Sequence, residues 1–312
     1  MPDLPHEPVL YQEIIHALQP RPAGRYVDGT VGAGGHARGI LEACAPDGNL
    51  LGLDIDPQAL ALARETLAPY GRRVTLTQAS YAFVLDAMRA LSWSTVDGIV
   101  LDLGVSSMQL DMRERGFSFQ SEARLDMRFD PESALTAADL VNETPEDELA
   151  EILFRYGEEP RARRIARLIV ASRPVTTTTE LAGIVLRAYH QRMRRHPATR
   201  TFQALRIAVN DELGTLESAL PRLLEALRIG GRLAVIAFHS LEDRIVKRFI
   251  RERSSTRDSG TYGRTGGAAT APSLREVNRK PIRPGENESR LNPRARSARL
   301  RIIEKLAVGE QA

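Results

Sequence analysis

Three aspartates and a cluster of glycines carry the chemistry of the first hundred residues. In "YVDGTVGAGGHA", Asp28 precedes Gly32 by four positions, and Gly34, Gly35 and His36 follow. Gly32, Gly34 and Ala37 fit G-x-G-x-x-A, a turn that holds an adenosine cofactor where a strand passes into a helix. Asp54 lies 20 residues beyond Gly34, where an acid for ribose hydroxyls is expected. These residues alone admit a nicotinamide dinucleotide as readily as another adenosine cofactor. Asp28 separates the readings: a dinucleotide brings a pyrophosphate, which a nearby carboxylate repels, whereas S-adenosylmethionine brings an ammonium and a sulfonium. The acid favours the cationic cofactor.

The other positions that such a site needs fall at the ends of successive strands, where open parallel sheets bind ligands. Asp54 would accept both ribose hydroxyls, Tyr81 would lie beside the adenine, and Asp102 would sit near the adenine amine or the methionine end. His36, in the first turn of the helix, is a further cofactor contact. No set of His, Cys, Asp and Glu has metal-ligand spacing, so no metal is expected, and Gly-x-Ser-x-Gly is absent. The single cysteine, Cys44, rules out an intrachain disulfide framework and suits a buried spectator.

Short apolar runs must position these groups. Arg25 to Asp28, Leu50 to Asp54, Val74 to Gln78 and Gly98 to Leu103 read as strands, alternating with helical spacing over His36 to Cys44, Pro57 to Tyr70 and Tyr81 to Leu91. Asp56-Pro57 reads as a helix cap. From Thr144 the spacing is helical only, with a helix start at Thr144 to Asp147, another at Pro160, and a capping box over Thr177 to Glu180. A long helix from about Thr201 to Leu227, a strand in "GGRLAVIAF", a helix from Leu241 to Ile250 and a closing edge strand over Arg296 to Lys305 complete the pattern. The expected fold is therefore α/β, Rossmann-like and mostly parallel, with residues 1–109 and 201–312 forming one discontinuous domain. Residues 110–200 form an inserted all-helical domain. Residues 252–273, 12 of 22 being Gly, Ser or Thr, are expected as a mobile loop.

Net charge is only +3, but it is unevenly spread. Residues 111–154 hold 12 acids against 4 arginines, 155–206 hold 12 arginines against 3 acids, and 271–305 hold 10 basic residues against 4 acids. Two arginine-rich blocks suit a polyanionic partner, because guanidinium forks onto phosphates and neutralising them releases counterions. No apolar run approaches a membrane span and the amino terminus lacks a signal-peptide layout, so a soluble cytoplasmic protein is expected.

"HEPVLYQEII", "YVDGTVGAGGHA", "LDLGVSSMQLD", "RGFSF", "LDMRFD", "TFQALRIAVNDEL", "FHSLEDRIVKRF" and "NPRARSARLR" together resemble the bacterial 16S ribosomal RNA cytosine-N4 methyltransferases of the MraW or RsmH type. The matches run in the family's order from His6 to about Lys305. The resemblance implies a class I S-adenosylmethionine-dependent fold with an inserted helical domain. It implies methylation of a cytidine in the decoding region (P site) of 16S rRNA in the small ribosomal subunit, tuning decoding. It also implies cofactor contacts at Gly34, Gly35, His36, Asp54, Tyr81, Asp102 and Gln109. Tyr81 stands where the family often has phenylalanine, and keeps a ring for adenine.

A cytosine amine is a poor nucleophile, its lone pair being delocalised into the ring, so positioning should dominate catalysis. Many amino-methyltransferases use Asp/Asn-Pro-Pro-aromatic after the fourth strand. Here that place reads Asp102-Leu-Gly-Val-Ser-Ser, so the motif leaves the catalytic group open among Asp102, Ser106, Ser107 and His239. The target base should be single-stranded or flipped out. Phe117, Phe119 and Phe238 are candidate stacking platforms, though each also suits core packing. Arg128, Arg294 and Arg296 are candidate RNA contacts. Competing readings are a DNA or other RNA amino-methyltransferase, a nicotinamide oxidoreductase and a non-catalytic RNA-binding protein. Oligomeric state stays open, a homodimer being one option.

Overall fold

The computed structural model describes residues 8–189, 196–254 and 272–307. In chain order its elements are α1 (Tyr11–Leu18), β1 (Arg25–Asp28), α2 (Gly35–Ala43), β2 (Asn49–Asp54), α3 (Pro57–Leu67), β3 (Val74–Gln78), α4 (Val84–Ala90) and β4 (Val96–Asp102). There follow α5 (Ser107–Asp111), α6 (Ala137–Glu143), α7 (Glu146–Gly157), α8 (Ala162–Val170), α9 (Thr178–Arg187), α10 (Ala198–Asn210) and α11 (Glu212–Ala226). The chain closes with β5 (Leu227–Ala237), α12 (Ser240–Ser254), β6 (Leu274–Glu276), α13 (Glu286–Leu291) and β7 (Arg299–Lys305). Two compact units result, one of residues 1–104 and 215–312 and the other of residues 105–214.

The first unit is built on a seven-stranded sheet of order β3-β2-β1-β4-β5-β7-β6. The first five strands are parallel, while β7 runs antiparallel to β5 and β6 antiparallel to β7. Val27, Leu51, Ile99, Val100 and Leu101 are fully buried, as apolar runs in a sheet covered on both faces must be. Strand order reverses between β1 and β4, so a ligand site is expected beyond the carboxyl ends of those two strands. Asp56 caps α3 as the sequence implies, accepting the N–H of Gln58 at 3.0 Å ahead of Pro57.

Three sequence expectations change here. The strand near the carboxyl end begins at Arg299 rather than Arg296, because Asn292 caps a 3₁₀ turn over Pro293–Ser297. That strand is not the edge: three-residue β6 pairs along it. The long helix breaks in two at Asp211, whose φ is 44°.

The second unit buries Phe117, Leu149, Leu153, Ile165, Ile169, Leu181, Val185, Phe202 and Leu205 in one apolar cluster. α10 belongs to this core, which moves the boundary from the expected 110–200 out to 105–214. Asn210 secures the end of α10, donating to the Met127 carbonyl and accepting the Phe129 N–H, both at 2.7 Å. The capping box at Thr177 and Glu180 forms, and a second one forms at Thr136 and Asp139. Residues 252–254 are the last turn of α12, and most of the expected mobile loop lies outside the described residues. Among the described residues no helix is long and apolar enough to cross a membrane.

Candidate functional site

β1 ends at Asp28, and the chain turns through residues 29–34 into α2. The turn consumes five of its six amides. Gly29 donates to Val100 O, Thr30 to Asp28 Oδ1, Val31 to Leu53 O, Gly32 to Asp54 Oδ2 and Gly34 to Val31 O. Those five are closed to a ligand oxygen, whereas the N–H groups of Gly35 and His36 that open α2 are not. Two glycines have positive φ, Gly32 at 52° and Gly34 at 88°. A side chain at Gly32 would meet only the Thr30 carbonyl at 3.9 Å, so within this turn Gly32 leaves an open face that Gly29, Gly34 and Gly35 do not. At Gly35, expected as a cofactor contact, an added Cβ would come within 2.4 Å of Pro8, which gives it a packing reason to be small.

Asp28 and Asp102 end the neighbouring strands β1 and β4. Asp28 Oδ2 and Asp102 Oδ1 are buried and have no hydrogen-bond partner among the described residues. Burial pushes the Asp28 carboxyl up to about 7; the N–H groups of Thr30 and Ala37 oppose the shift and the charge of Asp54 adds to it. Burial likewise lifts Asp102 to about 8, helped by Asp28 and Glu242. Thr30 ties the two ends together, its hydroxyl accepting the Asp102 N–H at 2.7 Å. Two acids that repel each other, Asp28 buried and Asp102 partly exposed, with two oxygens unspent, suit a cationic multiple donor such as an ammonium group.

His36 is 5% exposed, and its Nε2 donates to the Val9 carbonyl at 3.0 Å, which leaves Nδ1 as the bare nitrogen. Burial lowers its pKa to about 4 against the pull of that carbonyl, so at neutral pH it is an uncharged ring. Nδ1 stands 3.9 Å from Asp102 Oδ2, too far for a hydrogen bond, so the ring presents a lone pair to the acid rather than a charge. Asp54 shapes the turn as well as facing the site: Oδ2 holds Gly32 and Oδ1 holds the Asp56 N–H, each at 2.9 Å. Burial raises its pKa, and those N–H groups oppose the shift. Tyr81 follows β3 in a short 3₁₀ turn, close enough to Gly29 that a Cβ there would lie 3.0 Å from Tyr81 Cβ.

At the end of β5, Glu242 is the group that the sequence reading missed. It is 2% exposed, and its Oε2 accepts the N–H groups of Phe238 and His239 at 2.8 and 3.1 Å. Its own N–H points to His239 Nδ1 at 3.4 Å, and Oε1 lies 3.1 Å from His239 Nε2. Its position three residues after His239 was the available signal, a capping-box acid at the start of α12. His239 Nδ1 is thus met by a backbone N–H, while Nε2 is buried and has no hydrogen-bond partner among the described residues despite the nearby carboxylate. In the second unit, Ser106 caps α5 by accepting the Gln109 N–H at 3.2 Å, and the buried Gln109 side chain returns to the Ser106 N–H at 3.0 Å. Ser107 opens the same helix.

The RNA candidates divide. Arg128 is spent on a bidentate pair with Asp126, at 2.9 and 2.7 Å, and on the Ser133 carbonyl. Phe119 stacks on His196 at 4.5 Å and meets Phe202 edge-on at 5.1 Å, while Phe117 is buried against Phe129. Arg294 and Arg296 are exposed. In the same basic segment, Arg299 and Arg301 are turned inward onto Asp243 at 3.1 and 2.7 Å.

A model of the MraW methylase family matches residues 3–306. Ribosomal RNA small subunit methyltransferase H of Nitratidesulfovibrio vulgaris is 51% identical over 316 residues, with 98% of this chain and 87% of that protein covered. The protein of the same name from Dehalococcoides mccartyi is 50% identical, with 98% and 88% covered. That of Heliobacterium mobile is 49% identical, with 96% and 99% covered. Among solved structures, a Streptococcus mutans chain in complex with SAH aligns at a TM-score of 0.45 and 13% identity, with 96% of this chain and 99% of that one covered.

Proposed function

The chain belongs to the MraW methylase family, and from that premise we propose that it methylates the exocyclic N4 amine of a cytidine in the decoding region (P site) of small-subunit ribosomal RNA. The observation that carries the cofactor half of this reading is the pair of unpartnered buried oxygens on Asp28 and Asp102. S-adenosylmethionine, when bound, supplies a methyl group activated by its sulfonium. Asp28 and Asp102 would hold the cationic methionine end, Asp54 the ribose hydroxyls, and Tyr81 would lie beside the adenine. Gly32 and Gly34 give the backbone its turn, and His36 and Gln109 complete the set that the family pattern marks.

The chain must then orient the amine and accept its proton. Methylation leaves a positive charge on N4 until a proton departs, so an acceptor with a pKa near neutrality is useful there. Of the four catalytic candidates, Asp102 and His239 each have a buried atom without a hydrogen-bond partner among the described residues, Oδ1 and Nε2. Glu242 meets His239 Nδ1 with its N–H and stands 3.1 Å from Nε2 without a hydrogen bond to it, and Ser106 serves as a helix cap. Asp102 Oδ1 and His239 Nε2 are the proton acceptors this proposal offers, Asp102 Oδ1 serving only where Asp28 alone holds the methionine ammonium. Arg294 and Arg296 would contact RNA phosphates in the cytoplasm, where ribosomal subunits are made.

Mass spectrometry of ribosomal RNA nucleosides from cells with and without the gene tests the reading. N4-methylcytidine in the small-subunit RNA should vanish with the gene, and an unchanged level overturns the proposal. Methylation of an amine in DNA by the purified protein would favour the nearest chemical rival.

A further inference from the structure

The carboxyl ends of the strands carry the acids; the amino ends carry the opposite charge. β4 and β5 pair out of step there. Val96 is opposite Leu227 and Gly98 opposite Arg232, so Asp97 alone faces the four residues from Arg228 to Gly231. Gly230 has φ of 74°, and a Cβ at Gly231 would come within 2.9 Å of the Arg228 carbonyl and 3.1 Å of the Asp97 carbonyl. The "RIGGR" sequence is what this bulge requires, and such bulges re-aim the side chains they carry.

The bulge leaves a cavity of about 170 Å³ whose lining includes Arg21, Tyr26, Asp97, Arg228 and Arg232. Asp97 Oδ1 accepts from Arg21 Nη2 and Arg228 Nε, both at 2.6 Å, and Oδ2 accepts the Arg25 N–H at 2.8 Å. Burial disfavours its charge, but that N–H and the two guanidiniums overcome it and hold its pKa below the usual value. Arg232 donates through Nε to Glu304 at 3.0 Å and through Nη1 to the Ala17 carbonyl at 2.8 Å. Glu304 is itself shared with Arg275, at 2.6 Å. Two carboxylates thus serve four guanidiniums. Arg21 Nε and Nη1, Arg228 Nη2 and Arg232 Nη2 make no hydrogen bond among the described residues.

We propose that this cavity is a phosphate-binding site at the amino ends of the sheet, with Arg21, Arg228 and Arg232 donating to the phosphate oxygens. Four guanidiniums against two carboxylates leave an excess of positive charge beside a concave surface, and planar N–H forks match tetrahedral oxyanions. The phosphate belongs either to an RNA backbone, in which case the site rests on the ribosomal RNA reading, or to a small phosphorylated molecule.

Calorimetric titration of the full chain with inorganic phosphate tests the site. Saturable binding at one site is expected, weakened about tenfold or more in the Arg21→Gln/Arg228→Gln double variant, with the melting temperature and S-adenosylmethionine affinity recorded alongside. Asp97→Asn keeps the arginines and removes the opposing charge, so it should tighten phosphate binding. For an RNA source, the slope of log affinity against log salt for a small-subunit RNA fragment falls by about 0.7 to 0.9 per lost phosphate contact in the double variant. An unchanged slope with phosphate binding lost assigns the site to a small molecule. The proposal is overturned by wild-type protein that shows neither saturable phosphate binding nor a slope difference, or by variants that bind phosphate as the wild type does. A chain that methylates no ribosomal RNA would overturn the functional reading and leave the phosphate isotherm standing.

Discussion

The carboxylates of Asp28 and Asp102 end neighbouring parallel strands, and each keeps one buried oxygen without a hydrogen-bond partner among the described residues. That pairing is costly without a ligand, since buried charge is tolerated only when it is neutralised or paired. Replacing Asp28 by asparagine keeps the shape and removes the charge. We expect Asp28→Asn to weaken S-adenosylmethionine binding by about tenfold or more, while the ligand-free melting temperature holds or rises. Titration calorimetry and thermal denaturation read the two effects, and an unchanged affinity removes Asp28 from the cofactor site.

The same acids set a pH dependence. Their ordinary value is 3.8, and in the fold they lie at about 7 for Asp28 and about 8 for Asp102. Between the unfolded and folded values the native chain keeps protons that the unfolded chain has shed. Their contribution to stability is therefore lost progressively as pH rises from about 4 to about 8, then levels off. A cationic ligand needs the ionised acids, so its binding releases protons and strengthens from about pH 6 to about pH 7.5, before the ligand's own amine begins to titrate. Calorimetry in buffers of different ionisation enthalpy measures the release. A flat affinity with no proton release would show that the acids do not meet the cation.

Asp54 has two tasks that a simple deletion would confuse. It holds the glycine turn through the Gly32 and Asp56 N–H groups, and it is the proposed acceptor of ribose hydroxyls. Asp54→Ala should cost about 1 to 3 kcal/mol in urea denaturation, because two N–H groups lose their partner. Comparing S-adenosylmethionine with its 2′-deoxyribose analogue isolates the second task. Wild-type protein should prefer the ribose form and Asp54→Ala should not discriminate; an equal preference in both would confine Asp54 to the turn.

How far the sequence reaches is visible at particular residues. β1 to β5 and the caps at Asp56 and Thr177 were legible because apolar runs and capping chemistry are local signals. The break at Asp211 was not: apolar spacing continues across it, and the tie from Asn210 to Met127 and Phe129 is made by residues distant in the chain. β6 has three residues, too few for a period to show. Glu242 is enclosed and holds the N–H groups that lead into α12, a burial that its capping-box spacing alone does not reveal. Composition likewise hides that Arg299 and Arg301 of the basic segment face inward onto Asp243 while Arg294 and Arg296 face solvent.

That division gives two opposite expectations for one run of arginines. Asp243 carries the charge of Arg299 and Arg301, and Arg301 is only 5% exposed. Asp243→Ala should therefore destabilise the fold by about 1.5 to 3 kcal/mol in urea denaturation, because a buried guanidinium loses its nearest carboxylate and keeps only Glu276 at 3.4 Å. Reversing the exposed pair, Arg294→Glu with Arg296→Glu, should leave the melting temperature near that of the wild type. It should weaken binding of a small-subunit RNA fragment and flatten its salt dependence by about 0.7 to 0.9 per phosphate contact removed. Should the reversal leave both affinity and slope unchanged, the phosphate contacts lie elsewhere on the chain; should it lower the melting temperature as Asp243→Ala does, these arginines belong to the scaffold.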